Sequence, residues 1–204
     1  IAAYKTTEYL KDMGTPDRLT KVSKDFLSGK IARRNTSNKQ KAIFLDRDGV
    51  INKFVHDLSK IDDFELIDKV PESIAKINAS DFLSILITNQ PVLAKGFLTE
   101  NELHEIHKKM DTLLGNNGAF VDHLYYCPHH PESGFEGEVK NLKIECECRK
   151  PKSGMLLKAT KDFNIDLTAS WMIGDSEWDM MAGKNVGCKT IYINKNGESN
   201  KYSD

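Results

Sequence analysis

The chain has 204 residues, 39% of them hydrophobic, enough to bury the core of one ordinary domain and to carry an additional arm. Its 29 basic and 30 acidic residues leave a formal net charge of −1, which argues against a general nucleic-acid binder. No apolar run approaches the roughly 20 residues that cross a bilayer, and the start lacks the pattern of a secretory signal. We therefore expect no membrane partner.

The four cysteines indicate metal binding more than disulfide bonds. They could form two disulfides in a secreted domain, but three of them lie between positions 127 and 148, beside histidines. A reducing cytoplasm is therefore the expected location. The fourth cysteine, Cys188, is expected to pack as a small apolar residue beside the last strand.

Residues 1–40 are predicted to form an arm and a linker. Thr15-Pro16 or Asp17 could begin a helix over residues 18–27, which Gly29 would end. Residues 30–41 are polar and include an Asn-Thr-Ser-Asn run, a composition typical of a flexible linker. The main domain is expected to span residues 41–204.

Strand and helix patterns alternate through the main domain. Short apolar runs at residues 42–45, 82–88, 171–174 and 189–193 predict buried strands. Helical patterns at residues 71–79, 99–114, 153–163 and 178–185 lie between or after them. This alternation predicts an α/β fold with a doubly wound parallel sheet. In such sheets ligands bind beyond the carboxyl ends of the strands, where Asp46, Thr88 and Asp175 all fall.

Carboxylates follow two of the predicted strands. Asp46 and Asp48 stand at alternate positions just past the first strand, and Gly49 allows a sharp turn there. Asp175 ends another strand, and Asp179 lies one helical turn further on. These acids could merely cap helices and turns. Their convergence on one cleft would instead require a cation, and all-oxygen ligands favour Mg²⁺.

Cysteines and histidines between residues 127 and 148 predict a second metal site. Cys127 with His129 or His130, together with Cys146 and Cys148, supplies the four ligands of a closed tetrahedral Zn²⁺ site. Such a site has no position for a catalytic water, so we expect a structural role. The alternative is a set of free buried thiols with surface histidines.

Two histidines and one tryptophan are expected to have surface or packing roles. His104 and His107 stand among Glu and Lys at helical spacing, which predicts a solvated helix face rather than a metal site. Trp178 is expected to contribute packing near the acidic cluster.

Four motifs in order give the chain a specific resemblance over residues 41–194. Asp46-Arg47-Asp48-Gly49, Thr88-Asn89-Gln90, Arg149-Lys150-Pro151 and Gly174-Asp175 with Asp179 resemble the motifs of the haloacid-dehalogenase-like phosphatases. The segments Tyr125–Pro131 and Cys146–Met155 are most similar to the heptose 1,7-bisphosphate phosphatases, relatives of histidinol-phosphate phosphatase. The resemblance implies a Rossmann-like sheet with a small cap or none and a zinc-binding loop, with His129 as the histidine ligand.

The resemblance also implies a two-step phosphoryl transfer. Asp46 would attack phosphorus and become an aspartyl phosphate, while Asp48 would protonate the leaving alcohol and then activate water. Mg²⁺ would be held by the Asp46 carboxylate, the Asp48 backbone carbonyl and the Asp175 carboxylate.

The remaining motif residues would bind substrate. Thr88 and Lys150 would stabilise the oxygens of the transferring phosphoryl group, with Asn89 and Gln90 also contributing to the substrate site. Arg149 would contact another part of the substrate, since its planar fork suits a phosphate or several hydroxyls. The implied substrate is a heptose 1,7-bisphosphate or a similar sugar phosphate that loses its distal phosphate.

The chain departs from the heptose phosphatase pattern at three places. Residues 53–60 lack the glycine- and tyrosine-containing loop, residues 91–95 replace a small residue and glycine, and Ser176 replaces a basic residue. The reaction type is thus better supported than a second phosphate on the substrate. Histidinol-phosphate hydrolysis and an inactive docking module are the alternative functions.

The arm carries a resemblance of its own. Residues 11–17, with their Gly-Thr-Pro turn, are similar to the closing segment of sugar-1-phosphate nucleotidyltransferases. This resemblance implies that the chain is the carboxyl half of a fusion with such an enzyme; an ordinary helical arm is the alternative.

Overall fold

Five parallel strands form one sheet in the order β3-β2-β1-β4-β5. The computed structural model describes residues 6–134 and 136–193. The strands are β1 Lys41–Leu45, β2 Phe82–Asn89, β3 His123–Cys127, β4 Trp171–Gly174 and β5 Lys189–Tyr192. The helices are α1 Pro16–Leu27, α2 Lys30–Arg33, α3 Val70–Ala79, α4 Glu100–Gly115, α5 Gly154–Phe163 and α6 Glu177–Lys184, with single 3₁₀ turns at Ile61–Asp63 and Lys140–Leu142.

The predicted doubly wound parallel sheet is confirmed. All four predicted strands and all four predicted helices of the main domain form, within about two residues of their expected ends. Strand β3 was not predicted, because its sequence His-Leu-Tyr-Tyr-Cys mixes polar and apolar side chains and is only partly buried. It pairs with the last five residues of β2, and this pairing brings Cys127 level with Asn89.

Helices cover both faces of the sheet. Alternate residues of β1 point to opposite faces, so that Phe44 joins a cluster with α5 and α6 while Leu45 joins a cluster with α3 and α4. Between β1 and β2 the described chain contains only a loop, the first 3₁₀ turn and α3, in agreement with a small cap or none. Among the described residues, no helix is long and apolar enough to span a membrane.

The arm contains the predicted helix. Thr15 caps α1 by accepting a hydrogen bond from the backbone N–H of Arg18, and Pro16 occupies the first turn, where proline is tolerated. None of the residues of α1 is buried. The helix ends before Gly29, whose φ of 74° is one that glycine adopts without strain.

The prediction of a flexible linker over residues 30–41 is wrong in part. Residues 30–33 form α2, and Arg34 is buried and forms an ion pair with Asp122, which also accepts a hydrogen bond from the backbone N–H of Ser84 in β2. A boundary at residue 41 stays a prediction. The predicted domain ends, residues 1–5 and 194–204, lie outside the described residues.

Replacing Arg34 by methionine is expected to lower the free energy of unfolding by roughly 3–5 kcal/mol, because the buried Asp122 would keep its charge without its partner. Replacing Arg33 is the matched control. Its pair with Asp81 is about half exposed, so Arg33→Met is expected to cost about 0–1 kcal/mol in a urea titration. Equal effects of the two substitutions would show that Arg34 does not anchor this segment.

Candidate active site and zinc-binding loop

The motif residues come together at the carboxyl ends of the strands. A cavity of about 280 Å³ opens there, beyond β1, β2 and β4. Every residue predicted for the reaction and for substrate binding lines this cavity, namely Asp46, Asp48, Thr88, Asn89, Gln90, Arg149, Lys150 and Asp175.

Two carboxyl groups that line the cavity, those of Asp46 and Asp175, lie close to the buried carboxyl group of Asp179. One oxygen each of Asp46, Asp175 and Asp179 lies within 4.8 Å of the others. Burial raises the pKa of Asp46 to about 7, although Lys150 opposes this rise; the charge of Asp179 adds to it. A donor set made only of carboxylate oxygens fits Mg²⁺. The described residues therefore fit the expected cation, with Asp179 as an additional neighbour.

Asp179 reaches this cluster because Gly174 has no side chain. A Cβ atom added to Gly174 would lie 2.2–2.4 Å from side-chain atoms of Asp179. The Asp179 carboxylate also accepts hydrogen bonds from the backbone and the hydroxyl of Ser176, which forms a capping box for α6. Ser176 thus serves the helix terminus at the position where a basic residue was expected.

Lys150 supplies a buried positive charge between the carboxylates. Its Nζ lies 2.8 Å from Asp46 and 2.5 Å from Asp179, and it donates to the carbonyl oxygen of Ile87 at 2.9 Å. Burial alone would lower the pKa of Lys150, but the charges of Asp179 and Asp46 raise it above its usual value. The ammonium group therefore stays charged.

Asn89 holds the backbone of Lys150. Its side-chain oxygen accepts from the Lys150 N–H at 3.0 Å, and its amide nitrogen donates to the Lys150 carbonyl at 3.1 Å. Both polar ends of Asn89 are thus used within the protein. Asn89 also lines the cavity, so its predicted contribution to the substrate site stays a prediction beside this role in placing Lys150.

Three side chains donate hydrogen bonds to the carboxylate of Asp48, which also lines the cavity. Arg47 donates to both of its carboxylate oxygens at 2.9–3.2 Å, Asn52 donates at 3.0 Å and Gln90 at 2.9 Å. The same Gln90 amide nitrogen lies 2.9 Å from the hydroxyl of Thr88. Gln90 therefore connects Asp48 to Thr88, and its predicted contribution to the substrate site stays a prediction.

Four predicted zinc ligands form a compact cluster beside the cavity. The sulfur atoms of Cys127, Cys146 and Cys148 lie 3.1–3.5 Å from one another, and Nδ1 of His129 lies 3.3 Å from the Cys148 sulfur. All four ligand atoms fall within 4.8 Å, as four ligands at roughly 2.0–2.3 Å from one zinc ion require. His130 instead contacts the carbonyl oxygen of Glu132, so geometry agrees with His129 as the ligand.

Arg149 lies at the rim of the cavity, directly after the cluster. Its guanidinium donates to the carbonyl oxygen of His129 at 3.2 Å and lies 5.5 Å from the centre of the Trp178 ring. The side chain of Trp178 is half exposed and lines the cavity. The expectation that Trp178 only contributes packing is therefore wrong.

The two loops that depart from the family pattern meet at the mouth of the cavity. Lys95 lies 2.8 and 2.9 Å from the carboxylate oxygens of Asp57, and both residues line the cavity. Sequence reasoning did not identify this pair, because its members come from segments 38 residues apart.

His107 contradicts the prediction of a solvated helix face. His104 is exposed, but His107 is buried, and its Nε2 lies 3.2 Å from Nη1 of Arg47. Its position could have been inferred from the spacing of Leu103, Ile106 and Met110, since His107 falls within that apolar stripe of α4. Cys188 is buried next to β5, as predicted.

The chain is similar to known proteins over about three quarters of its length. Residues 147–202 match the HAD-hydrolase-like family model. The chain is 42% identical over 162 residues to the D-glycero-β-D-manno-heptose-1,7-bisphosphate 7-phosphatase of Pasteurella multocida, covering 78% of this chain and 84% of that protein. It is 41% identical over 152 residues to the enzyme of the same name from Escherichia coli K12, covering 74% and 78%. A crystal structure of D,D-heptose 1,7-bisphosphate phosphatase from B. bronchiseptica, complexed with magnesium and phosphate, has a TM-score of 0.65 at 33% identity and covers 74% of this chain and 79% of that one.

Cys148→Ser is expected to remove most bound zinc from the purified protein, since it takes away one of four ligands of a closed site. The measurement is zinc content by plasma mass spectrometry, with about one ion per chain expected in the unmutated protein. Cys188→Ser is the matched control, because this buried thiol lies outside the cluster. Equal zinc content in both variants would contradict the assignment.

Proposed function

This chain belongs to the family of the D-glycero-β-D-manno-heptose-1,7-bisphosphate 7-phosphatases, and on that premise we propose that it hydrolyses the 7-phosphate of a heptose 1,7-bisphosphate. It is a phosphoric monoester hydrolase. The single observation that carries the proposal is the arrangement of Asp46 at a strand end, with the Lys150 ammonium 2.8 Å away and Asp48 two residues on.

The family resemblance implies that Asp46, Asp175 and the backbone carbonyl of Asp48 would hold the magnesium ion, and the carboxylate oxygens of Asp46 and Asp175 lie within 4.8 Å of each other. When bound, Mg²⁺ supplies positive charge that offsets the repulsion between the substrate phosphate and the carboxylates. The donor set supports this proposal, because Asp46, Asp175 and Asp179 place three carboxylate oxygens within 4.8 Å of one another.

In the first step, a carboxylate oxygen of Asp46 attacks phosphorus. The bond between phosphorus and the sugar oxygen breaks, and that oxygen receives the proton of Asp48 as it leaves. Lys150 and the hydroxyl of Thr88 stabilise the oxygens of the phosphoryl group during the transfer.

In the second step, water hydrolyses the aspartyl phosphate. Asp48 removes a proton from the water, whose oxygen attacks phosphorus, and the bond to Asp46 breaks to release inorganic phosphate. Asp48 is thereby protonated again and Asp46 is regenerated. The donors around Asp48, from Arg47 and Gln90 among others, match the carboxylate form that removes this proton.

We assign the second phosphate of the substrate to Arg149. The described residues include no carboxylate paired with Arg149, whereas Lys95 is paired with Asp57 and Lys150 with Asp46 and Asp179. Its guanidinium is held at the rim by the His129 carbonyl and the Trp178 ring, which leaves further N–H donors for an anion.

The two alternatives are less well supported. A histidinol-phosphate phosphatase would not account for the extent of the identity to heptose bisphosphate phosphatases. An inactive docking module would have no need for an intact set of Asp46, Asp48, Thr88, Lys150 and Asp175 around one cavity.

We also propose that the arm, residues 1–40, connects the phosphatase to a sugar-1-phosphate nucleotidyltransferase. The support is the Gly-Thr-Pro turn before α1 and the exposed apolar side chains of that helix, Leu19, Phe26 and Leu27. A cytoplasmic location likewise stays a proposal, supported by three clustered cysteines that must remain reduced to bind zinc.

The function is tested by measuring phosphate release, with Mg²⁺ present, from heptose 1,7-bisphosphate, simple hexose phosphates and histidinol phosphate. We expect kcat/KM to be greatest for the heptose bisphosphate, with one phosphate released per molecule. Asp46→Asn should reduce release by more than about 10³-fold, because the amide is not a nucleophile, while its circular dichroism spectrum is retained. Preference for histidinol phosphate, or turnover by the folded Asp46→Asn protein, would overturn the proposal.

A further inference from the structure

The side chain of Arg47 connects Asp48, the general acid of the proposed reaction, to helix α4. Its side chain is fully buried, and its guanidinium lies between Asp48 and His107. One side of the guanidinium donates to both carboxylate oxygens of Asp48. The other side, Nη1, lies 3.2 Å from Nε2 of His107 on α4.

The chemistry of the two side chains fixes the direction of this hydrogen bond. A guanidinium group has only donors, so Nε2 of His107 must accept and the imidazole must be neutral, with its proton on Nδ1. Burial, with the nearby charge of Arg47, lowers the pKa of His107 to about 3, which agrees with the neutral form.

We propose that His107 is a positioning residue for the phosphatase reaction, acting through Arg47 on the carboxyl group of Asp48. This inference rests on the proposed function, in which Asp48 transfers the proton. The buried guanidinium needs an acceptor on each side, and the acceptor that α4 supplies sets its tilt. The tilt sets the bidentate contact that aims Asp48 at the leaving oxygen.

Loss of the His107 side chain is expected to affect the chemical step more than substrate binding. The imidazole of His107 does not line the active-site cavity, so its loss removes no substrate contact. Misplacement of a catalytic group by about 1 Å can cost on the order of 100-fold in rate. Substitution of His107 should therefore lower kcat and leave KM nearly unchanged.

The test compares His107→Leu with His107→Gln in steady-state hydrolysis of heptose 1,7-bisphosphate. The Leu variant lacks the acceptor, and its kcat is expected to fall roughly 10- to 100-fold with KM changed less than about threefold. The Gln variant is expected to recover most of kcat, because its side-chain oxygen can accept from Arg47. If the Leu variant does not fold, His107→Met takes its place with the same expectation.

His104→Leu is the matched control, since His104 lies one turn earlier on α4, is exposed and makes no contact with Arg47. Its kcat should match that of the unmutated enzyme. A folded Leu or Met variant with normal kcat, or a Gln variant as slow as Leu, would overturn the proposal. Absence of sugar phosphatase activity in the unmutated enzyme would instead show that the proposed function itself is wrong.

Discussion

The burial of the Lys150 ammonium between Asp46 and Asp179 is the interaction on which the active site depends. A carboxylate as buried as Asp46 loses most of its hydration, and two more carboxyl groups lie within 4.8 Å. The lysine offsets part of this cost, because its Nζ lies 2.8 Å from Asp46 and 2.5 Å from Asp179. The cluster of carboxylate oxygens around this lysine suits a divalent cation.

The zinc-binding loop is the means by which Lys150 reaches this position. Residues 146 and 148 are fixed to the end of β3 and to His129 by the thiol and imidazole cluster, and Lys150 follows two residues later. Asn89, at the end of β2, then holds both backbone groups of Lys150. A short loop without this double attachment would gain conformational freedom, which opposes placing a charged side chain in a buried site.

Much of this arrangement follows from the sequence. Asp46, Thr88 and Asp175 come directly after apolar strand patterns, and parallel strands place their carboxyl ends at one edge. Three cysteines and a pair of adjacent histidines stand at spacings that predict a zinc site, and the family resemblance selects His129 of the pair. The resemblance of the four ordered motifs to the phosphatase family implies the role of each motif residue in the reaction.

Other features depend on contacts between residues that lie far apart along the chain, which local sequence patterns do not predict. The hydrogen bonds that Asn89 and Gln90 make to Lys150 and Asp48 were not predicted, because these partners lie 61 and 42 residues away along the chain. The burial of Arg34 is set by Asp122, which is 88 residues distant. The burial of His107 could have been predicted from its place in the apolar stripe of α4. The neighbouring Glu and Lys residues favoured the prediction of a solvated face instead.

The most direct test of the central claim is the affinity of Asn89→Ala for inorganic phosphate in the presence of Mg²⁺, measured by isothermal titration calorimetry. This substitution leaves every proposed metal ligand and the Lys150 side chain intact. It removes the two hydrogen bonds from the Asn89 side chain to the Lys150 backbone. The account predicts phosphate binding at least about tenfold weaker than in the unmutated protein, equivalent to about 1.4 kcal/mol, with zinc content unchanged. Unchanged phosphate affinity would contradict it.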